Sequence, residues 1–426
     1  MLRLGLRAQE SSAIRNPRAT SGDHRVEPNW DERLTVTVGQ EKGDIVGKTD
    51  KAIQAAIDMV ARLGGGTVKI APGTYQFRNC VWLSSGVRLV GSGTETVLVK
   101  SPSISTKLIE DSDWYDQEIT LADARGFQVG DGICLETRNP HNGGRDVFKG
   151  TLVARSGNRF KLNKPLRQNF WLAGGAKIST LFPLLTSELT ENVAIESLSL
   201  DGNAKNNQLL DGNYAGCIFL QDCNRYTIRN VEARNYNGDG ISWQICHDVV
   251  VENCHSHDNT NLGLHPGSGS QRPVIRNNRV ERNSIGIFFC WGVKYGLAEN
   301  NKAIDNRDFG ISIGHNDTDN VVRNNLIQGS GKVGVLFRDE SGGKDFFPNR
   351  NTIANNRILN SGPGDGVAID IQGKTRDVVI VKNEIREMRQ PMHRTGIRIG
   401  KYAGSVTLTT NRIEGFSVAI SDQRPA

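Results

Sequence analysis

From residue 192 onward one pattern of apolar and polar positions keeps returning. An aliphatic strand leads to an Asn-rich corner, then a second strand, a turn, and a glycine that opens a third strand. That glycine falls at Gly216, Gly240, Gly263, Gly286, Gly310, Gly334, Gly366 and Gly396, in steps of 23 or 24 residues that stretch to 32 and 30 at the end. A ninth copy closes in SVAISD, with Ala419 in the glycine's place. Side chains alternate along a strand. The position three after the glycine (Phe219, Trp243, Pro266, Phe289, Ile313, Phe337, Ile369, Ile399) is apolar throughout and predicts an inward column. The position two after it (Ile218, Ser242, His265, Phe288, Ser312, Leu336, Ala368, Arg398) is mixed and predicts an outward one. At the corner, Asn278, Asn301, Asn325, Asn356, Asn383 and Asn411 share one column. Asn tolerates left-handed backbone and can hydrogen-bond a like residue above and below it. A constant period of this length predicts a solenoid of stacked coils.

The flanks depart from the period. KTDKAIQAAIDMVARLGGGTVKI predicts an amphipathic helix with Ile53, Ala56, Ile57, Val60 and Ala61 on its apolar face, capped by Thr49 or Asp50. Residues 103–181 contain two strand-rich stretches with turns at Gly130-Asp131-Gly132 and Ser156-Gly157-Asn158, and predict a small antiparallel β insertion. The predicted organisation is a polar tail at 1–32, first coils with their helix at 33–102, the insertion at 103–181 and the main solenoid at 182–426.

Composition changes this picture little. Forty-seven glycines among 426 residues and 6% aromatics suit short strands and turns. A net charge of +6 suits an anionic partner without naming one. No apolar run is long enough for a membrane helix, and the N-terminus has no secretory apolar stretch. The seven cysteines include no C-x-x-C and are expected as free, buried thiols. His255 and His257 in NCHSHDN leave the period intact and are expected on the outward, turn side rather than as a zinc pair.

These features, the Asn column and the helix-to-GGGT opening above all, resemble the right-handed parallel β-helix proteins of the pectate lyase superfamily, over residues 33–102 and 182–426. The family also includes polygalacturonases, rhamnogalacturonases and phage tailspikes. The resemblance implies an all-β fold, a right-handed parallel β-helix whose helix covers the open N-terminal end. It also implies an active site on the sheet formed by the Gly-led strands. Equivalent residues of successive coils would stack about 4.8 Å apart. The outward positions and strand exits would then form one stripe holding Asp239, Gln244, His265, Trp291, His315, Asp317, Arg338, Asp339, Glu340, Asp370 and Arg398.

Carboxylates one or two coils apart would match the spacings of retaining or inverting glycosidases. Asp339, Glu340, Asp370 and Asp317 are therefore the candidate acid–base groups, with His315 to position water or shuttle a proton. Asp239, Gln244, His265, Trp291, Arg338 and Arg398 are the candidate substrate contacts. Asp317, Thr318, Asp319 and Asn320 could instead form an Asx-type turn, and the same carboxylates could hold Ca²⁺. No other metal or cofactor is expected. Polygalacturonase motifs match in part. Asn237-Gly238-Asp239-Gly240 fits three of four positions of Asn-Thr-Asp-Gly, Gly314-His315-Asn316 echoes Gly-His-Gly, and the Asp-Asp-Cys and Arg-Ile-Lys motifs are missing.

The expected activity is glycoside hydrolysis of an acidic polysaccharide. Ca²⁺-assisted β-elimination of uronates and a non-catalytic glycan-binding or tailspike-like role are the alternatives. The expected partner is the glycan, with neither nucleic acid nor membrane, for a monomer or homotrimer. The resembled family is mostly secreted.

Overall fold

The computed structural model describes residues 27–343, 345–389 and 393–425; residues 1–26 of the expected tail lie outside them. Residues 27–32 are not tail-like. Trp30 is buried, and Glu27 accepts two hydrogen bonds from Arg229 at 2.9 Å.

The repeat folds as a parallel solenoid. Each Gly-led segment adds one strand to an eleven-stranded parallel sheet, from Val81–Trp82 through Asp239–Gln244, Leu262–Gly267, Phe309–Ile313 and Val367–Ile371 to Val418–Asp422. The other strands join a 22-stranded sheet, two short strands per coil meeting at the Asn corner. Between the sheets lies a continuous core containing Trp243, Phe289, Ile313, Phe337 and Ile371.

The corner divides its labour between two neighbouring residues. Asn278, Asn301, Asn325, Asn356, Asn383 and Asn411 form an unbroken ladder, each Nδ2 donating to the next Oδ1 at 2.9–3.0 Å. The left-handed turn sits one residue earlier, at Asn277, Asn300, Asn324, Asn355, Lys382 and Thr410, with φ between 52° and 57°. The ladder residues therefore serve as hydrogen-bonding groups for the bend rather than as its left-handed residues. A second ladder, Asn259–Asn283–Asn306, lines the next corner. The opening glycines pack there: a Cβ on Gly286 would sit 2.9 Å from the Asn306 amide.

The register corrects two positions of the glycine column. Gly216 pairs with Asp239, so Cys217 faces Gly240. Val333 pairs with Val367, so Ala368, not Gly366, faces Gly334. The inward residue of that later coil is thus Ile371, and Asp370 takes the outward place assigned to Ala368.

The helix Asp50–Arg62 buries Ala52, Ile53, Ala56, Ile57 and Val60 against the first coils. Thr49 makes no side-chain cap bond, and the Asp50 carboxylate accepts the Arg78 N–H instead. Six strands between Ser105 and Ser179 form a separate antiparallel sheet with its own core around Phe160 and Phe170. All seven cysteines are free. No helix among the described residues is long and apolar enough to cross a membrane.

Candidate functional site

The two wide faces of the solenoid differ in chemistry. On the 22-stranded sheet, charges cancel in pairs between coils: Arg276 with Glu252, Arg323 with Glu299, Arg357 with Glu384. Such exposed pairs are ordinary solvated surface. The outer face of the eleven-stranded sheet instead carries, strand after strand, Phe219, Ser242, His265, Phe288, Ser312, Leu336, Asp370 and Arg398.

Asp239 and His265 form the buried centre of this face. Asp239 Oδ2 lies 2.7 Å from His265 Nδ1, and its Oδ1 accepts the Leu262 N–H at 3.1 Å. Burial pushes the Asp239 carboxyl up, while His265 and the Leu262 amide pull it back. Ser242 Oγ donates to the Gly212 carbonyl at 2.9 Å, accepts from Gln244 Nε2 at 3.0 Å, and stands 3.3 Å from His265 Nδ1. With its own proton committed to Gly212, Ser242 can only accept from the ring. Both neighbours of Nδ1 are thus acceptors, and the proton belongs on Nδ1. Nε2 is left with a lone pair, shielded from water and without a partner, as is Gln244 Oε1. Gly212 is needed for room: a Cβ there would lie 1.9 Å from Asp239 Oδ2.

Three coils on, the exit of Phe309–Ile313 builds a brace. Asp317, fully buried, accepts Gly292 N and Val293 N on Oδ1 at 2.9 and 2.8 Å, and Gly314 N on Oδ2 at 2.7 Å. Burial raises its carboxyl to about 6 against the pull of Arg338, 3.8 Å away, and of the three amides. Arg338 donates to Ser312 Oγ at 2.7 Å, to the Phe289 carbonyl at 3.0 Å and to Glu340 at 2.8 Å, and lies over the Phe288 ring. A Cβ at Gly314 would be 1.9 Å from Arg338 Nη2, so this glycine makes room for the guanidinium. His315 stacks on Trp291 at 4.3 Å and accepts the Gly342 N–H on Nδ1 at 2.8 Å, which puts its proton on Nε2. Trp291 keeps 59% of its surface exposed.

The expected carboxylate row is mostly engaged. Asp370 is held by Arg398 through two hydrogen bonds, at 2.9 and 2.5 Å, and by Gln372 at 2.7 Å. Glu340 is paired with Arg338, and Asp319 with Arg350. Asp339 is exposed and forms no ion pair among the described residues. Ca²⁺ takes roughly six to eight oxygen ligands. Carboxylates already occupied by guanidinium and amide groups do not fit it, and no step below passes through a metal.

His255 and His257 lie on a strand, His255–His257, not in a turn. Their rings stack at 4.0 Å, and they converge with Glu232 within 4.8 Å on the 22-stranded sheet. Each is already bonded to carboxylates, His255 to Glu281, and His257 to Glu232 and Asp258.

Ten of the eleven expected residues divide into three groups along this side of the solenoid: the Asp239–His265 centre with Gln244, the Arg338 brace with Asp317, His315, Trp291 and Glu340, and the Asp370–Arg398 pair; the exposed Asp339 joins none of them. Ser242 and Gly212 complete the first group and were not among the expected site residues. Ser242 stood in the outward column directly beside His265, which is the signal that could have found it.

A family model described as right handed beta helix region matches residues 198–346, and one described as rhamnogalacturonase A/epimerase, pectate lyase-like, matches residues 37–131. The chain folds as a right-handed parallel β-helix and is similar to the pectate lyase superfamily over these two segments. Among curated relatives, this β-helix protein is 24% identical over 305 residues to mannuronan C5-epimerase AlgE2 of Azotobacter vinelandii, covering 70% of this chain and 22% of the relative. The match therefore spans roughly a fifth of that relative's length. Two solved structures share the architecture. The A-module of mannuronan C-5 epimerase AlgE4 from Azotobacter vinelandii superposes with a TM-score of 0.59 at 18% identity, over 91% of this chain and 100% of that one. PfbA, a surface adhesin of Streptococcus pneumoniae, gives 0.56 at 15%, over 90% and 93%. An epimerase and an adhesin on one scaffold mean that the likeness carries the fold and not the activity.

Proposed function

We propose that this β-helix protein binds an acidic polysaccharide along the outer face of the eleven-stranded sheet and removes the C5 proton of a uronate unit with His265 Nε2. The single observation that carries this reading is the Asp239–His265 pair. It has its proton fixed on Nδ1 and an unpartnered Nε2 lone pair, on a face that also carries Phe219, Phe288 and Arg398. Asp239 acts as a positioning residue: it fixes the tautomer and steadies the imidazolium that forms.

The proton moves from C5 to Nε2, and its bonding pair spreads into the adjacent carboxylate. That enolate then takes one of two courses. It either expels the oxygen at C4, which leaves an unsaturated sugar and a new chain end, or regains a proton on the opposite side, which inverts C5. The second course is the type of reaction named for the curated relative. Trp291 offers a flat ring for a sugar, and Ser242 and Gln244 offer hydrogen bonds to its hydroxyls.

Hydrolysis by the Asp/Glu row remains the competing reading. The raised Asp317 carboxyl favours it as a proton donor, whereas the three amides on Asp317 and the clamp on Asp370 oppose it. Incubation with polymannuronate, polygalacturonate and other uronate polymers in D₂O separates the possibilities. Deuterium at C5, or ultraviolet-absorbing unsaturated ends, supports proton abstraction. New reducing ends without either overturns it in favour of hydrolysis. Glycan binding with no covalent change overturns both and leaves a binding protein.

A further inference from the structure

The antiparallel lobe overhangs the first strands of the eleven-stranded sheet and encloses a cavity of about 590 Å³ with them. Trp82, Phe219 and Gln221 form the floor; Lys149, Lys164 and Arg167 come from the lobe. Phe219 and Gln221 pair with Ser242 and Gln244 of the next coil, so the floor continues the face that carries His265. Trp82 lies on the terminal strand of that sheet, and among the described residues no further coil extends the face beyond it. The cavity therefore sits at one end of the groove.

Its charges are the unusual feature. Elsewhere the guanidinium groups are mostly matched with carboxylates, as along the 22-stranded sheet. Lys149, Lys164 and Arg167 form no ion pair among the described residues, and each lies over an aromatic ring instead. Lys149 Nζ is 3.9 Å from the Phe219 centroid, Lys164 Nζ 5.5 Å from Phe148, and the Arg167 guanidinium 4.9 Å from Tyr115. Lys149 Nζ also donates to the Tyr214 carbonyl, which holds it over the floor. Glu188 is the one carboxylate lining the cavity. Three cations facing one acid leave a surplus of positive charge in a concave, aromatic-floored site of the volume that small ligands occupy.

We propose that this cavity is a subsite for the carboxylate-bearing terminal unit of an acidic oligosaccharide, so that the groove engages its substrate from a chain end. The proposal rests on the acidic-glycan reading above and adds which part of the chain is recognised, and where. A sugar ring lies on the exposed face of Trp82, and the carboxylates accept hydrogen bonds from Lys149, Lys164 and Arg167.

The test is calorimetric binding of mannuronate and galacturonate trimers, and of their carboxyl-reduced neutral forms, to the full chain. The variants are Lys164→Gln/Arg167→Gln, both exposed side chains, and separately Lys149→Met, each checked by thermal unfolding. The double variant is expected to bind acidic trimers ~10-fold or more weakly, and wild type to bind the neutral trimers no better than that variant does. Equal binding by wild type and the double variant, or equal binding of acidic and neutral trimers, overturns the subsite. If Trp291→Ala or Arg398→Gln weakens trimer binding and the cavity variants do not, the groove stands and this end site falls. If wild type binds no uronate trimer or polymer, the acidic-glycan reading itself falls, and this subsite with it.

Discussion

Replacing Asp239 with Asn changes one atom and tests how His265 is set. Asp239 meets two donors, the Leu262 N–H at 3.1 Å and His265 Nδ1 at 2.7 Å. An amide has only one acceptor oxygen. The Leu262 N–H is fixed by the backbone and claims it, which turns the amide nitrogen towards His265. Nδ1 must then accept, and the ring proton moves to Nε2. The lone pair that would take the C5 proton is lost while the packing is unchanged. Positioned general-base catalysis contributes about 10²- to 10⁴-fold, equivalent to roughly 2.7–5.4 kcal/mol of barrier. Asp239→Asn should lower the rate on a converted uronate polymer by that factor with little change in melting temperature, and His265→Ala should lower it at least as far. Nitrogen-15 spectra of labelled protein report which ring nitrogen carries the proton and should show it exchange places in Asp239→Asn. Undiminished activity in Asp239→Asn, or a wild-type spectrum with the proton on Nε2, would refute the reasoning.

Asn325→Leu removes two bonds donated by the side chain, to Asn356 Oδ1 and the Ala298 carbonyl, and strands the Asn301 N–H. One buried backbone N–H without a partner should cost about 1–3 kcal/mol, measured by urea or thermal unfolding; a loss below about 0.5 kcal/mol would mean that the ladder is not structural. Gly314→Ala drives a methyl into Arg338. It should cost about 1–3 kcal/mol through overpacking and disorder the Ser312 contact, visible as a lower melting temperature that Gly314→Ala/Arg338→Ala partly restores. Asp317 should titrate near 6 by carbon-13 NMR, facing Arg338 and the amides of Gly292, Val293 and Gly314. Its folded value lies above the ordinary aspartate value of 3.8, so the stability it contributes is complete below that value and lost as pH rises through about 6; a midpoint below 4 would show that the amides outweigh burial.

The solenoid was legible because a buried strand repeated every coil leaves an apolar column that survives without any alignment. The Asn ladder was legible for the same reason, though not its role, since position alone does not separate a stacking side chain from the left-handed residue beside it. The glycine column slipped where loops intervene. Residues 338–350 and 360–366 are inserted loops, and they bring Gly366 close to the place that Ala368 occupies. Asp239 and His265 were each picked out, but as separate contacts. They meet diagonally across neighbouring strands, and a column of equivalent positions shows only partners directly opposite. The carboxylate row looked free because its counter-ions, Arg338 on Glu340 and Arg398 on Asp370, had been counted as substrate contacts. The lobe has no period, so nothing in its sequence tells where Lys149, Lys164 and Arg167 come to rest.

Hydrogen bonds of the corner ladder run only between adjacent turns of the coil. Each rung is therefore a self-contained module, bonded to the one above and the one below and to nothing further away. Inserting or deleting a whole rung away from the Arg338 brace, which reaches across two coils, would keep the ladder's pattern of bonds and change the length of the face. In such a molecule the length of the outer face is a countable quantity, set in whole coils.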